Sequence, residues 1–272
     1  MCGGERTNRY GNANPAPLGA TPLRTVCVIP ARYGSERLPA KPLRELRGRP
    51  LVEWVVRAAR RVDLFDEVLV ATDHEKIASV AERAGVEAVL TDPDLPSGTD
   101  RVHAALETRP ADIVVNWQGD EPGMPAEAVR SAHASLLQAA ADVATACVPI
   151  KDPEEFENPA VVKVVRDTRG CALYFSRSPI PSLVRRDPRE VGRSGYIFGY
   201  KHLGLYIYRR DALTLFCGLP ESSLEHMEKL EQLRLLENGL RLVCVETERD
   251  SVGVDTEEDV ARAEEFLASL EG

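Results

Sequence analysis

Three cations follow the apolar run Val26–Ile29: Arg32, Arg37 and Lys41, in the stretch PARYGSERLPAKPL, whose one acid is Glu36. Spaced cations beside a backbone turn at Gly34 and Ser35 suit a polyphosphate, with Lys acting as a point charge and Arg as a fork. Pro39 and Pro42 stiffen the chain around Lys41. Two carboxylates are natural counterparts. Asp120 lies in WQGDEP, just after the apolar run DIVVN. A carboxylate there suits Mg²⁺, which takes one or two carboxylates and completes its shell with phosphate and water. Asp255, in GVDTEED, stands just outside a helix start marked by Thr256 and Asp259. Taken singly, each has an ordinary alternative: an exposed charged loop, a turn residue after Gly119, a carboxylate complementing a helix N-terminus.

The elements that must position these residues alternate. Val26–Ile29 reads as a buried strand, 50–62 as an amphipathic helix with Pro50 at its start, and 66–72 as a second strand. Helix 74–85, strand 86–90, helix 99–108, strand 112–116 and helix 125–140 follow. Such alternation predicts a parallel, doubly wound sheet covered on both faces, with ligands gathered beyond the carboxyl ends of its strands. The loops after 26–29, 66–72 and 112–116 hold the chemistry-bearing residues. From about 155 to 210 the pattern changes to strand-like pieces around a Pro-, Arg- and Gly-rich stretch, and an inserted antiparallel lobe is expected there. A helix over 224–239, a strand over 240–245 and a last helix from Thr256 close the chain. Residues 1–24, rich in Gly, Pro and Asn and without periodicity, are expected to be a disordered tail ahead of one domain over 25–272.

Composition narrows the function. A net charge of −9 over 272 residues argues against a nucleic-acid groove, which needs clustered Lys and Arg. The charge is unevenly placed: residues 1–60 carry eleven Lys or Arg against four Glu, and 221–272 carry five against fifteen acids. Any acidic ligand is therefore met locally. The six cysteines are scattered with no CxxC pair, which fits a reduced cytoplasmic setting without a zinc site. No run approaches the roughly 18 apolar residues of a spanning helix, so no membrane is expected. Neither GxxxxGK[ST] nor GxGxxG is present, which removes the commonest phosphate cradles.

Eight stretches, taken in order, carry a resemblance: VCVIPARYGSERLPAKPL, VATDHEKI, LPSGTDRV, VVNWQGDEP, VKVVRDTRGCALYFSRSPIP, KHLGLYIYRRDAL, LEHMEKLEQLRLLENG and GVDTEEDV. Together they resemble the CTP:3-deoxy-manno-octulosonate cytidylyltransferases, or CMP-Kdo synthetases, from Val26 to about Leu267. The resemblance implies a Rossmann-like α/β mixed sheet of the nucleotidyltransferase (glycosyltransferase-A-like) type with an inserted dimerisation lobe, hence a homodimer. It implies transfer of CMP from CTP to an acidic sugar with release of pyrophosphate and with Mg²⁺ as cofactor. Arg32 and Lys41 would then hold the CTP phosphates with Arg37 nearby. Ala31, Asp73, Ser97, Gly98 and Thr99 would meet base and ribose, and Asp120 and Asp255 would ligate Mg²⁺. The acceptor would draw on Gln118, Arg177, His202, Glu225 and Gln232, with Arg101 as a further partner for its carboxylate.

Trp117 and Gly123 depart from the family pattern beside Asp120, and a bulky ring there could shrink the acceptor pocket. A phosphonate such as phosphonoformate, or another acidic sugar, is therefore the alternative acceptor to Kdo. The competing account of Trp117 is simple packing under the sheet. A non-catalytic nucleotide-binding protein is disfavoured because Lys41, Asp120 and Asp255 are all present. A sugar-1-phosphate nucleotidylyltransferase is disfavoured because the opening loop lacks a GxGTRL-type sequence.

Overall fold

A computed structural model describes residues 22–35, 38–183 and 195–271. Arg37 and most of the expected tail lie outside the described residues. Arg24, assigned to the tail from sequence, is already fixed: its backbone N–H donates to Asp112 and its guanidinium to Pro110 and Glu67.

The first strand, β1 (Thr25–Ala31), is buried along its whole length. Its side chains alternate between two cores, Cys27, Ile29 and Ala31 facing one and Val26 and Val28 the other. This is the period of two expected of a strand sandwiched between helical layers. After a short 3-10 turn at Lys41–Leu43 come the small ribbon β2 (Glu45–Leu46) and β3 (Arg49–Pro50) and helix α1 (Leu51–Arg60). Then follow β4 (Glu67–Thr72), α2 (Glu75–Arg83), β5 (Glu87–Leu90), α3 (Gly98–Ala105), β6 (Ile113–Trp117), α4 (Ala126–Gln138) and β7 (Val143–Ile150). Next are α5 (Pro153–Glu157), the hairpin β8 (Lys163–Arg166) and β9 (Ala172–Ser176), β10 (Gly199–Arg209) and α6 (Arg210–Gly218). Two short helices, α7 (Ser223–Glu228) and α8 (Gln232–Glu237), β11 (Leu242–Glu246) and α9 (Glu257–Glu271) complete the chain.

The main sheet runs β11-β7-β10-β6-β1-β4-β5, with β8 and β9 attached beside β10. Along that order neighbouring strands are parallel except at β10, which is antiparallel to both β6 and β7; β8 is antiparallel to β10 and β9. The result is the expected doubly wound mixed sheet. Helices α1, α2, α4 and α9 cover one face, and α3, α6 and α8 the other. No helix among the described residues is long and apolar enough to cross a membrane.

Two expectations are corrected. Residues 155–210 are not all a lobe, because β10 threads the centre of the sheet, where the run Leu203–Tyr208 is covered on both faces. The antiparallel addition is the β8–β9 hairpin, while 184–194 lies outside the described residues. The single helix expected over 224–239 is two. Lys229 adopts a left-handed conformation (φ 54°), which ends α7 and turns the chain before α8.

Candidate active site

The ends of β1 and β6 come together because Gly119 has no side chain. A Cβ at Gly119 would stand 2.4 Å from the Pro30 carbonyl oxygen, closer than non-bonded atoms approach. That contact brings Ala31 and Arg32, leaving β1, beside Gln118 and Asp120, leaving β6. Asp120 is tied in turn to the loop before α9: its carbonyl accepts from the Val254 N–H at 2.8 Å, and Asp255 follows.

Lys41 closes the arrangement. Ala40 takes a left-handed conformation (φ 52°), uncommon for a residue with a side chain, and starts the turn that aims Lys41 inward. Lys41 Nζ donates to Asp120 Oδ2 at 2.6 Å and to Asp255 Oδ1 at 2.9 Å. Burial disfavours the Lys41 ammonium, but the two carboxylates outweigh it and raise its pKa above the ordinary lysine value. One cation thus holds two carboxylates that lie 135 positions apart in the sequence. Glu121 clasps the same loops: Ser251 Oγ donates to its carboxylate, which occupies the space left by Gly204 and Gly253. Burial, followed by the charge of Asp120, pushes the Glu121 carboxyl up to about 7.

Lys41, Asp120 and Asp255 border a cleft of about 550 Å³. Of the residues named from sequence, Ala31, Arg32, Lys41, Ser97, Gly98, Arg101, Gln118, Asp120 and Asp255 line it. Pro30, Ser35, Pro42, Leu95 and Pro96 also line it, and the sequence reading named none of them as a site residue. The sequence presents Ser35 and Pro42 only as a turn and a stiffener of the phosphate loop, and Pro96 stands directly before the Ser97 cap of α3. Ser97 Oγ accepts from Asp100 N–H and donates to the Asp100 carboxylate, fixing the start of α3 at the cleft wall.

The other named residues that are described do not line this cleft. Asp73 accepts from the Tyr33 backbone N–H at 2.8 Å and faces the Arg101 guanidinium at 3.4 Å, so it braces the first loop. Thr99 is fully buried between Asn116 and Glu231. Arg177 donates to the backbone carbonyls of Pro159, Glu228 and Lys229. His202 packs between Phe175 and Tyr206, and burial pushes its imidazole down to about 3. Thr145 Oγ1 donates to the Leu205 carbonyl and therefore accepts from His202 Nε2–H at 2.8 Å, so the ring is engaged by an internal partner rather than turned to the cleft. Glu225 caps α7 together with Ser222 and is gripped by Arg234 through two hydrogen bonds of 2.8 and 2.6 Å. Both oxygens are thereby committed to structure. Gln232 is buried in the first turn of α8. Trp117 is wholly buried and donates to the Glu121 carbonyl, and Gly123 packs on Val252 and Phe266. Trp117 thus packs under the sheet, and neither residue borders this cleft.

A strand-end cleft in which one lysine spans two carboxylates suits the handling of a phosphate chain, and the sheet is of the nucleotidyltransferase type. Residues 26–246 match the family described as Cytidylyltransferase, and the chain belongs to that family. Within it, the chain is 46% identical over 248 residues to the 3-deoxy-manno-octulosonate cytidylyltransferase of Bdellovibrio bacteriovorus, covering 91% of this chain and 99% of that one. It is 46% identical over 268 residues to the enzyme of the same name from Koribacter versatilis, covering 97% and 98%. Among solved structures it resembles CMP:2-keto-3-deoxy-manno-octonic acid synthetase complexed with CTP, with a TM-score of 0.82, 39% identity, and 91% and 99% coverage.

Proposed function

We propose that this chain transfers CMP from CTP to 3-deoxy-manno-octulosonate (Kdo) and releases pyrophosphate. The observation that carries the reading is the convergence of Lys41, Asp120 and Asp255 in one cleft with Arg32. The named relatives and the CTP-bound structural neighbour support it.

Asp120 and Asp255 fit Mg²⁺. They are hard oxygen donors already close enough to share one cation, the Lys41 ammonium. Among the described residues no group of three or more His, Cys, Asp or Glu could hold a metal. The rest of a Mg²⁺ shell would therefore come from phosphate and water, as is usual for this ion. When bound, Mg²⁺ supplies Lewis-acid stabilisation of charge on the phosphate oxygens.

The chain's own residues need only position and neutralise. The acceptor hydroxyl oxygen forms a bond to the α-phosphorus, the bond to the bridging oxygen of pyrophosphate breaks, pyrophosphate leaves with that electron pair, and the hydroxyl proton passes to water. Arg32 and Lys41 stabilise the departing pyrophosphate. Gly98 and Ser97 at the start of α3, with Ala31, form the wall against which base and ribose rest. Gln118 and Arg101 are the acceptor-side candidates that line the cleft, Arg101 offering a cation for the sugar carboxylate.

The test is a panel assay of pyrophosphate release with CTP, UTP or ATP against Kdo, phosphonoformate and another acidic sugar. Activity confined to CTP and Kdo is expected, and activity with phosphonoformate but not Kdo overturns the acceptor. The chain is also proposed to act in the cytoplasm, where its described cysteines, all free, stay reduced. It is proposed to be a homodimer that uses the β8–β9 hairpin. β9 pairs with β8 and carries Leu173 at 61% exposure. Light scattering that shows a monomer at working concentration removes the dimer.

A further inference from the structure

Gln118 is held by a chain of polar groups that begins at Glu231, outside the cleft lining. Glu231, immediately before α8, accepts from Thr99 Oγ1 at 2.7 Å. Thr99 Oγ1 accepts from Asn116 Nδ2 at 3.1 Å, and Asn116 Oδ1 accepts from Gln118 Nε2 at 3.2 Å. Thr99 and Asn116 are completely buried, so their polar groups must be satisfied within the chain.

The direction of the whole series follows from its first member. Burial pushes the Glu231 carboxyl up, while its hydrogen bond from Thr99 and the charge of Arg234 favour the ionised form; in that form it can only accept, and the Thr99 hydroxyl proton points to it. Thr99 Oγ1 is then the acceptor toward Asn116, which must turn its NH₂ group to Thr99 and its carbonyl to Gln118. Gln118 answers with its own NH₂. Its carbonyl oxygen is left on the other side, 3.7 Å from where a Cβ on Gly98 would stand, and both residues border the cleft.

We propose that Glu231, Thr99 and Asn116 are positioning residues that fix the Gln118 amide with its carbonyl oxygen toward the acceptor. This part of the cleft then selects a hydroxyl of the sugar and rejects a group that can only accept hydrogen bonds. The proposal rests on the reading of the cleft as a Kdo cytidylyltransferase site. Its physical basis is that a carbonyl facing a hydroxyl forms a hydrogen bond, whereas a carbonyl facing a fluorine, carboxylate or phosphonate oxygen meets two acceptors with no proton between them.

The experiment measures kcat/KM at saturating CTP for Kdo and for analogues in which single hydroxyls are replaced by hydrogen or fluorine. It uses the wild type, Thr99→Val, Glu231→Gln and the conservative Thr99→Ser. For one hydroxyl position the wild type should disfavour the fluoro analogue by about tenfold or more, the size of one hydrogen bond. Thr99→Val removes the relay and Glu231→Gln allows both amides to reverse, so in each that ratio should fall below about threefold. KM for CTP and the melting temperature are followed beside it. Thr99→Ser keeps the hydroxyl and should keep the wild-type ratio. Thr99→Val and Glu231→Gln are close in shape to the residues they replace, so either that folds serves as the test. Wild-type discrimination retained at every position in these two variants overturns the proposal. A wild type that releases no pyrophosphate with CTP and Kdo overturns the parent reading instead, and this one with it.

Discussion

Lys41 and Asp120, 79 residues apart in sequence, meet at 2.6 Å, and the same ammonium reaches Asp255 at 2.9 Å. The lysine holds together the two carboxylates expected to share a metal ion. Asp120→Ala and Lys41→Ala should each lower turnover at least 100-fold, the scale seen when a group that stabilises transition-state charge is removed. Circular dichroism should be unchanged. Wild-type rate in either variant at saturating CTP and Mg²⁺ would refute the assignment. Lys41→Ala also leaves two carboxylates facing each other without their cation. Its melting temperature in EDTA should fall below that of the wild type and recover on adding Mg²⁺.

The close approach of Gly119 to Pro30 sets where Gln118 and Asp120 stand. In Gly119→Ala the new Cβ would lie 2.4 Å from a backbone oxygen that cannot rotate away, so the ends of β1 and β6 must part. A shift of about 1 Å at reacting groups can cost about 100-fold in rate. Gly119→Ala should therefore lose most of its kcat while keeping the fold. At Gly98 the added Cβ would meet Pro30 Cγ at 3.5 Å, an ordinary contact, so Gly98→Ala should cost far less. Equal losses in the two would contradict the steric account.

Glu225 and Arg234 form a pair with little solvent access, each side chain about a tenth exposed. Burial opposes the Glu225 charge, but Arg234 and the Ser222 backbone hold its carboxyl below the ordinary range. Removing one partner of such a pair costs about 3–5 kcal/mol when fully buried and less here, where water retains some access. Glu225→Ala should lower stability to urea with an unchanged KM for Kdo. A raised KM with unchanged stability would return Glu225 to the acceptor site.

His202 gives a signed pH dependence. Its pKa falls from 6.5 to about 3 on burial, so the folded chain keeps the ring neutral while the unfolded chain protonates it. The stability tied to the neutral ring is complete above pH 6.5 and declines as pH drops toward 3. One proton contributes a slope of about 1.4 kcal/mol per pH unit. In urea unfolding, the stability of the wild type relative to His202→Gln should decrease between pH 7 and pH 4.5. A difference independent of pH would show that the ring titrates alike in the folded and unfolded chain, so that burial does not hold it neutral.

The sequence by itself determined the alternation of strands and helices and marked the strand-end loops that hold Lys41 and Asp120, while only the family resemblance raised Lys41 and Asp255 above an ordinary charged loop and a helix-end carboxylate. The alternation and the loops rest on local signals: hydrophobic period, capping residues, and charges placed just after apolar runs. A single turn ended α7, because Lys229 in a left-handed conformation breaks a pattern that otherwise reads as one helix. Tertiary structure decided what lies far apart in sequence. The run Leu203–Tyr208 looks like a strand in any setting, and only its pairing with β6 and β7 places it at the centre of the sheet. Thr99, Glu225 and His202 are polar residues whose types suit a ligand as well as an internal partner. Glu231, Arg234 and Thr145 became those partners only when packing removed water from around them, because a buried polar group must then be paired within the chain.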